Sequence, residues 1–217
     1  MPGRGASQSH HSSPPQPGLW QAEHCSAWDA ALAAYPRALA AYGGDKLVAL
    51  DQWFHEVWPA DVWGREPPSV TRDELLRVIR WKMGRGVWRE RNLRLAETNA
   101  AADVAATIMV ALGAAPDPRR PLDEIARLRG VGAATASAVL AALLPAEYPF
   151  LDETVGAQVP GLGPVGFSLR YYLPYAAALR DRAAQLDRGC PHRRWTAHAV
   201  DLALWSAANA DRQASQG

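Results

Sequence analysis

The stretch LRGVGAATASAVLAALLPAEYPFLDETV occupies residues 128–155. It begins with a glycine-rich turn, continues as a run of small residues, and reaches the acidic residue Asp152 after an apolar Tyr-Pro-Phe-Leu run. Gly130 and Gly132 allow a tight turn between helices and a close approach by another backbone. The turn leaves amide N–H groups unpaired at the start of the next predicted helix, residues 133–144, where a phosphate can bind. The stretch therefore predicts a phosphate-binding hairpin that leads to a carboxylate.

Other residues of this hairpin fit the same interpretation. Arg129 can contact a phosphate, Val131 separates the two glycines, and Thr135 can donate a hydroxyl hydrogen bond. Contacts of this kind hold DNA without reading its sequence. The alternative is an ordinary helical hairpin in which glycine turns the chain and alanine packs it. The pattern by itself does not choose between the two.

The carboxylate of Asp152 also has two interpretations. Its apolar neighbours Phe150, Leu151 and Val155 would strengthen its electrostatic interaction with a developing positive charge. Asp is equally a common N-cap residue, so capping of the following helix would explain it without any chemistry. Glu153 is the weaker acidic candidate.

Length and composition limit the class of protein. A chain of 217 residues with 48% hydrophobic residues and a net charge of +1 suits one globular domain. No apolar run is as long as a membrane span, and the N-terminus lacks the apolar core of a secretory signal, so we expect no membrane association. Cys25 and Cys190 are too few for a four-cysteine site. They could form a single disulfide, which nothing in the sequence supports, and we expect two free thiols, no metal and no cofactor.

Helical periodicity and breakers divide the chain. Residues 1–18 are rich in Ser, Pro and Gly and predict a disordered tail, followed by a helical domain over 19–210 and a flexible C-terminus over 211–217. We predict a loop over 58–68 and no strand, so the expected fold class is all-α. The predicted helices cover 19–42 with a break at Pro36, 45–57, 71–83 opening with a capping box, 93–99, 100–113, 122–128, 133–144, 168–186 and 195–208.

The most basic segment, residues 81–91 (WKMGRGVWRER), interleaves tryptophan with arginine. This combination is typical of surfaces that stack on bases and contact phosphates. The predicted base-stacking residues are Trp81 and Trp88, and the predicted phosphate contacts are Lys82, Arg85 and Arg89. Each tryptophan alone is better explained as core, with the charges on a solvated face. The cluster as a whole favours nucleic acid.

The pattern L-x-G-V-G-x-x-T-A-x-x-V-L, followed by an apolar segment and an Asp before x-x-V, resembles the helix–hairpin–helix DNA glycosylases of the endonuclease III superfamily. In that family the hairpin is of the type L-P-G-V-G-x-[K/S]-T-A, and the later segment reads V-D-T-H-V or L-D-G-N-V. The family's catalytic aspartate falls on Asp152 and its lysine position on Ala134, 18 residues earlier. The resemblance covers residues 122–155 and implies the helical glycosylase fold, with double-stranded DNA as the partner.

Three departures from the family pattern refine this expectation. Arg129 replaces the usual proline, and the family's iron–sulfur cysteines are absent. Ala134 replaces the lysine that forms a Schiff base in bifunctional members, so activity should be monofunctional unless Lys82 reaches in from another helix. Residues 81–91 replace a Gln- or Thr-rich helix and resemble a W-K-x-x-R-G-x-x-R pattern of uncharacterised glycosylase-like proteins.

The resemblance implies a monofunctional glycosylase of base-excision repair, in which Asp152 stabilises positive charge on the sugar of a flipped nucleotide. The alternative is a non-catalytic module that uses the hairpin to hold DNA or a protein. A second acid could come from Glu56, Asp61 or Glu74, whereas Asp201 is expected to be structural, paired with an arginine. We expect a monomer located with the bacterial nucleoid in the cytoplasm, or in the nucleus of a eukaryote.

Overall fold

The computed structural model describes residues 18–190 and 192–214. Every regular element in these ranges is helical, which confirms the all-α fold class. The elements are a 3-10 turn (Leu19–Gln21), α1 (Cys25–Gln52), a π-helical segment (Trp53–Val57), α2 (Trp58–Trp63), α3 (Arg72–Gly84), α4 (Glu90–Glu97), α5 (Ala101–Gly113), α6 (Arg120–Ile125), α7 (Ala133–Leu143), α8 (Glu153–Gly156), α9 (Leu169–Gly189) and α10 (Ala197–Ala214).

Two predicted boundaries concern the ends of the chain. The tail predicted over residues 1–18 lies, apart from Gly18, outside the described residues. Helix α10 continues to Ala214, beyond the boundary predicted at residue 210. The flexibility predicted for residues 211–217 stays a prediction, and residues 215–217 lie outside the described residues.

The first helices are more continuous than predicted. Pro36 lies inside α1, whereas the chain kinks at Gly44, between the helices predicted to end at residue 42 and to begin at residue 45; its φ of 65° suits glycine. The helical path continues through the π-helical segment into α2, so the loop predicted over residues 58–68 is wrong for its first six positions. Pro59 is the second residue of α2 and directly follows the π-helical turn, and the helical path continues through it.

The core is centred on α7, all of whose residues are buried. A helix that is apolar on every side packs against neighbours all round, and its alanines permit close approach. Long helices α1 and α10 pack together, and large aromatic side chains fill the space between elements. Trp28, Trp58, Trp81 and Trp205 are among the largest fully buried side chains. Within the described ranges, no single helix is long and apolar enough to cross a membrane; α4 and α5 meet that test only together, as a pair bent by 102°.

The expectation of two free thiols is wrong. Cys25 and Cys190 form a disulfide that joins the start of α1 to the residue after α9, across 165 positions of sequence. Cys190 is 1% exposed. The two cysteines meet because α1 and α9 both pack against α10, which the sequence spacing did not reveal. A cross-link over so long a loop restricts the unfolded chain.

The hairpin between α6 and α7 is fixed by the chain around it. Gly130 has a φ of 76°, and a Cβ at this position would overlap backbone atoms of Asn92 and Ala96 in α4. The close backbone approach predicted at this glycine is therefore made by the protein itself. Asn99 holds the turn from the other side: its Nδ2 donates to the Arg129 carbonyl at 3.0 Å, and its Oδ1 accepts from the Arg129 amide at 2.9 Å.

The two hairpin glycines should respond differently to substitution. Gly130→Ala should lower the free energy of unfolding by about 2–4 kcal/mol, because it adds backbone strain and a steric overlap with α4. Gly132→Ala is the matched control, since no atom of the described residues, its chain neighbours apart, lies within 4 Å of its Cβ position and its φ is −114°. It should change stability by less than about 1 kcal/mol. Urea denaturation of the full chain measures both, and equal losses would contradict the assigned packing.

Candidate functional site

A cavity of about 1000 Å³ opens beside the start of α7. Its wall includes the end of α3 and the loop that follows, the first turn of α7, and the first turn of α8. Asp152 and the hairpin residues Gly132 and Thr135 line it together. At its rim Tyr42 and Phe167 are 42% and 50% exposed. The two ends of the stretch 128–155 thus face one space.

Asp152 caps α8, as one of its two interpretations predicted. Its Oδ1 accepts a hydrogen bond of 2.7 Å from the Thr154 amide, and its side chain is 6% exposed. The segment before it is tied to α7 by Ser137, whose hydroxyl accepts from the Leu151 amide at 2.9 Å and donates to the Ala134 carbonyl at 3.0 Å. Capping and a position in the cavity wall are therefore compatible at this residue.

Two tyrosines of α9 fix the same segment from the opposite side. The Tyr172 hydroxyl donates to the Pro149 carbonyl at 3.1 Å, and the Tyr175 hydroxyl donates to the Phe150 carbonyl at 2.7 Å. Both side chains are fully buried. Sequence reasoning missed these tyrosines and Ser137. For Ser137 the available signal was a hydroxyl within a predicted helix made mostly of alanine and other apolar residues.

Arg85 does not face a phosphate, so that prediction is wrong. It follows the last residue of α3, and its side chain has no exposed surface. Its guanidinium lies 4.7 Å from the ring centre of Trp205 and 5.3 Å from that of Phe150. Its Nη2 donates to Asp152 Oδ2 at 3.3 Å. A buried arginine needs an anionic partner, and here the partner is the candidate reaction centre itself.

Asp201 lies on the other side of the same guanidinium. Its Oδ2 is 3.9 Å from Arg85 Nη1, which confirms the prediction of a structural acid paired with an arginine. Burial raises the pKa of Asp152 and of Asp201 to about 6 in each case, although the charge of Arg85 opposes this increase. The two carboxylates share one cation, so each also disfavours ionisation of the other.

Trp81 belongs to the core, so its predicted role in base stacking is wrong. The ring is fully buried and stacks on Phe54 with 3.6 Å between ring centres. Its Nε1 donates to Asp51 Oδ1 at 2.8 Å, and the Tyr35 hydroxyl donates to the same oxygen at 2.7 Å. Burial acts to raise the pKa of Asp51, but hydrogen bonds from His55, Tyr35 and Trp81 outweigh it and lower that pKa.

A pair of histidines connects Asp51 with Asp201. His55 Nδ1 lies 3.2 Å from Asp51 Oδ2, and its Nε2 lies 3.0 Å from Nε2 of His198. Nδ1 of His198 is in turn 3.4 Å from Asp201 Oδ2. Burial lowers the pKa of His198 well below its usual value, so its ring is neutral near pH 7. Because the pair separates two acids, it limits direct repulsion between them.

The other members of the basic segment are placed at or near the cavity. Lys82 and Arg89 line it, and Arg89 is exposed. Burial, and then the charge of Arg89, lower the pKa of Lys82. Trp88 is 53% exposed, with its Nε1 donating to Glu90 at 2.9 Å. Contacts of these residues with nucleic acid stay predictions.

The hairpin residues divide into exposed and packed members. Arg129 and Gly132 are exposed, whereas Val131 is buried and Thr135 is 5% exposed although it lines the cavity. Within the described part of the chain, the amides at the first two positions of α7 have no acceptor, as expected of a helix N-terminus. The arrangement presents these amides to the cavity wall, and phosphate binding stays a prediction.

The predicted sources of a second acid lie elsewhere. Glu56, Asp61 and Glu74 are absent from the wall of the cavity, and Glu74 is bound to Arg65 at 2.6 Å and takes part in the capping box of α3. Glu153 is exposed and lines the cavity beside Asp152. Among the residues that the structure describes, no group of three His, Cys, Asp or Glu side chains is arranged to hold a metal ion.

Comparisons of the chain with family models, with curated proteins and with solved structures give no match. The interpretation of the site therefore depends on its geometry and on the motif in the sequence.

The burial of Asp201 makes the stability of the fold depend on pH. A carboxyl whose pKa is raised in the folded state stabilises the fold at low pH and loses that contribution as pH rises through the folded pKa, here about 6. The variant Asp201→Asn lacks this carboxyl, so it does not lose this contribution to stability as pH rises. Relative to wild type, its free energy of unfolding should increase by about 1–3 kcal/mol between about pH 4 and about pH 7. Urea denaturation over this pH range tests it, and a constant difference would show that Asp201 titrates as an ordinary exposed acid.

Proposed function

We propose that the protein is a monofunctional DNA glycosylase that hydrolyses the N-glycosidic bond of a nucleotide flipped out of double-stranded DNA. The observation that carries the proposal is the shared cavity: Asp152 and the start of α7 line the same wall, next to Lys82 and Arg89. A helix N-terminus and basic side chains suit a phosphate backbone, and a carboxylate between them suits the sugar attached to it.

In this mechanism the flipped nucleotide occupies the cavity. Positive charge builds on the deoxyribose as the base departs, and Asp152 stabilises it. The carboxylate is already fixed by the Thr154 amide and by Arg85, so little reorganisation is needed during the reaction. The same carboxylate orients the water that attacks the sugar. Tyr42 and Phe167 at the rim provide aromatic surface next to the departing base.

The residue at position 134 favours hydrolysis without strand cleavage. A Schiff-base lyase needs an amine beside the sugar, and Ala134 lines the cavity with a methyl group instead. Lys82 is the lysine in the cavity wall, and it belongs to α3 rather than to the hairpin helix. The proposal assigns it to phosphate binding.

The second candidate function is a non-catalytic module that holds DNA by the hairpin. The observation that favours it is the burial of Asp152: both carboxylate oxygens have partners, and only 6% of the side chain is exposed. A carboxylate in this position also serves as a helix cap and a partner for Arg85. Binding without base release would then be the whole activity.

Asp152→Asn separates the two functions. It keeps the capping oxygen but removes the charge, so base release should fall at least about 100-fold while binding to DNA remains. The measurement is mass spectrometry of bases released from a panel of duplexes with damaged or modified bases. Glu153→Gln, in the next position and exposed, is the matched control and should retain activity within a few fold. Equal release by wild type and the Asp152 variant would refute the assigned reaction centre.

The hairpin is tested by binding alone. Gly132→Arg places a long side chain over the amides of α7 and should weaken binding to duplex DNA by about tenfold, although it adds a positive charge. Gly113→Arg adds the same charge at an exposed glycine that is absent from the cavity wall, so it controls for charge. Fluorescence anisotropy with a labelled duplex measures both. Unchanged affinity in the Gly132 variant would exclude the hairpin as a phosphate site.

A further inference from the structure

The side chain of Arg85 is enclosed by the protein on all sides. It stands between Gly84, the last residue of α3, and Gly86, and its side chain turns away from solvent completely. The rings of Trp205, Trp81 and Phe150 surround the guanidinium at 4.7, 5.2 and 5.3 Å. Aromatic faces stabilise a cation, but they do not satisfy its N–H groups.

The three nitrogens of the guanidinium are not equally hydrogen-bonded. Nη2 donates to Asp152 at 3.3 Å, whereas Nη1 is 3.9 Å from Asp201 and, with Nε, has no hydrogen-bond partner among the described residues. Oδ1 of Asp201 instead accepts a hydrogen bond of 3.1 Å from the hydroxyl of Tyr175. Among the described residues, the one side-chain hydrogen bond that the guanidinium donates therefore goes to Asp152.

Resting on the glycosylase function proposed above, we propose that Arg85 is a positioning residue for Asp152. Its guanidinium keeps the carboxylate ionised and fixed in the cavity wall without itself touching the nucleotide. A carboxyl group enclosed by apolar side chains takes up a proton when no cation faces it, and a neutral acid cannot stabilise positive charge on the sugar. The guanidinium also fixes one oxygen, while the Thr154 amide fixes the other.

The titratable groups around this pair lie on α1, in the π-helical segment, on α9 and on α10. They are Tyr35 and Asp51 on α1, His55 in the π-helical segment, Tyr175 on α9, and His198 and Asp201 on α10. Burial acts to raise the pKa of Asp152, Arg85 lowers it and Asp201 raises it, with a resulting value of about 6. Removal of Arg85 and removal of Asp201 should therefore move this pKa in opposite directions.

The test compares the pH dependence of base release by the full-length wild type, Arg85→Gln, Arg85→Lys and Asp201→Asn. The wild-type rate should fall at acid pH with a midpoint near 6, the pKa of Asp152. In Arg85→Gln the midpoint should rise by about 1–2 pH units, and in Arg85→Lys by less, because a charge is retained. In Asp201→Asn the midpoint should fall, because the charge of Asp201 raises the pKa of Asp152. A rate lowered equally at all pH values in Arg85→Gln would show a merely structural role and overturn the proposal.

A second readout does not depend on catalysis. Titration of the Asp152 side-chain carboxyl carbon by NMR, assigned by its loss in Asp152→Asn, reports the same pKa directly. Where Arg85→Gln does not fold, Arg85→Lys and Asp201→Asn still give opposite shifts if the proposal is right. If no duplex releases a base, the glycosylase function fails while the titration still decides the role of Arg85. A titration of Asp152 that is unchanged in the Arg85 and Asp201 variants would overturn the inference.

Discussion

A single buried guanidinium between two carboxylates is the constraint on which the site depends. Arg85 has no access to solvent, so its charge must be balanced inside the protein, and Asp152 and Asp201 provide that balance from α8 and α10. The aromatic rings that exclude water belong to α3, α10 and the segment before Asp152. One ion-pair cluster thus connects helices that are far apart in sequence, and removal of either carboxylate changes the electrostatic environment of the other.

The position of the hairpin follows from a different set of contacts. Asn99 holds the turn by two hydrogen bonds to Arg129, while α4 fills the space that a side chain at Gly130 would need. Ser137 then joins the hairpin helix to the segment that ends at Asp152. Helix α7 is buried on all sides, and close packing of this kind opposes displacement. The same helix therefore positions the amides of the hairpin and the segment that carries the carboxylate.

The sequence predicted interactions between residues close together in the chain better than interactions between residues far apart in it. Local signals were sufficient for the all-α fold class, the capping box at Thr71 and the capping role of Asp152, because each depends on residues a few positions apart. Sequence reasoning failed at Arg85, where a basic segment suggested a solvated surface. The tertiary partner, Asp201, is more than a hundred positions away, and nothing local indicates that the chain turns inward after Gly84.

The same limitation applies to the tryptophans and cysteines. Trp81 and Trp88 look alike in a basic segment, yet Trp81 lies on the buried face of α3, whereas Trp88 follows in the loop before α4 and is exposed. The pairing of Cys25 with Cys190 depends on how α1 and α9 each pack against α10, which no spacing of two residues determines. In contrast, Asp152 and the hairpin could be linked from sequence, because they lie at the two ends of one short segment.

The central claim is that the hairpin and Asp152 hold one nucleotide of a duplex in the same cavity. NMR mapping of backbone amides tests it most directly, with the isotope-labelled full-length protein and a duplex that carries a stable abasic-site analogue. The account predicts that the largest chemical-shift changes occur at residues 132–135 and at Thr154, whose amide donates a hydrogen bond to Asp152. Shifts confined to the exposed surface around Met109 and Gly113, on α5, or no shifts at all, would contradict it.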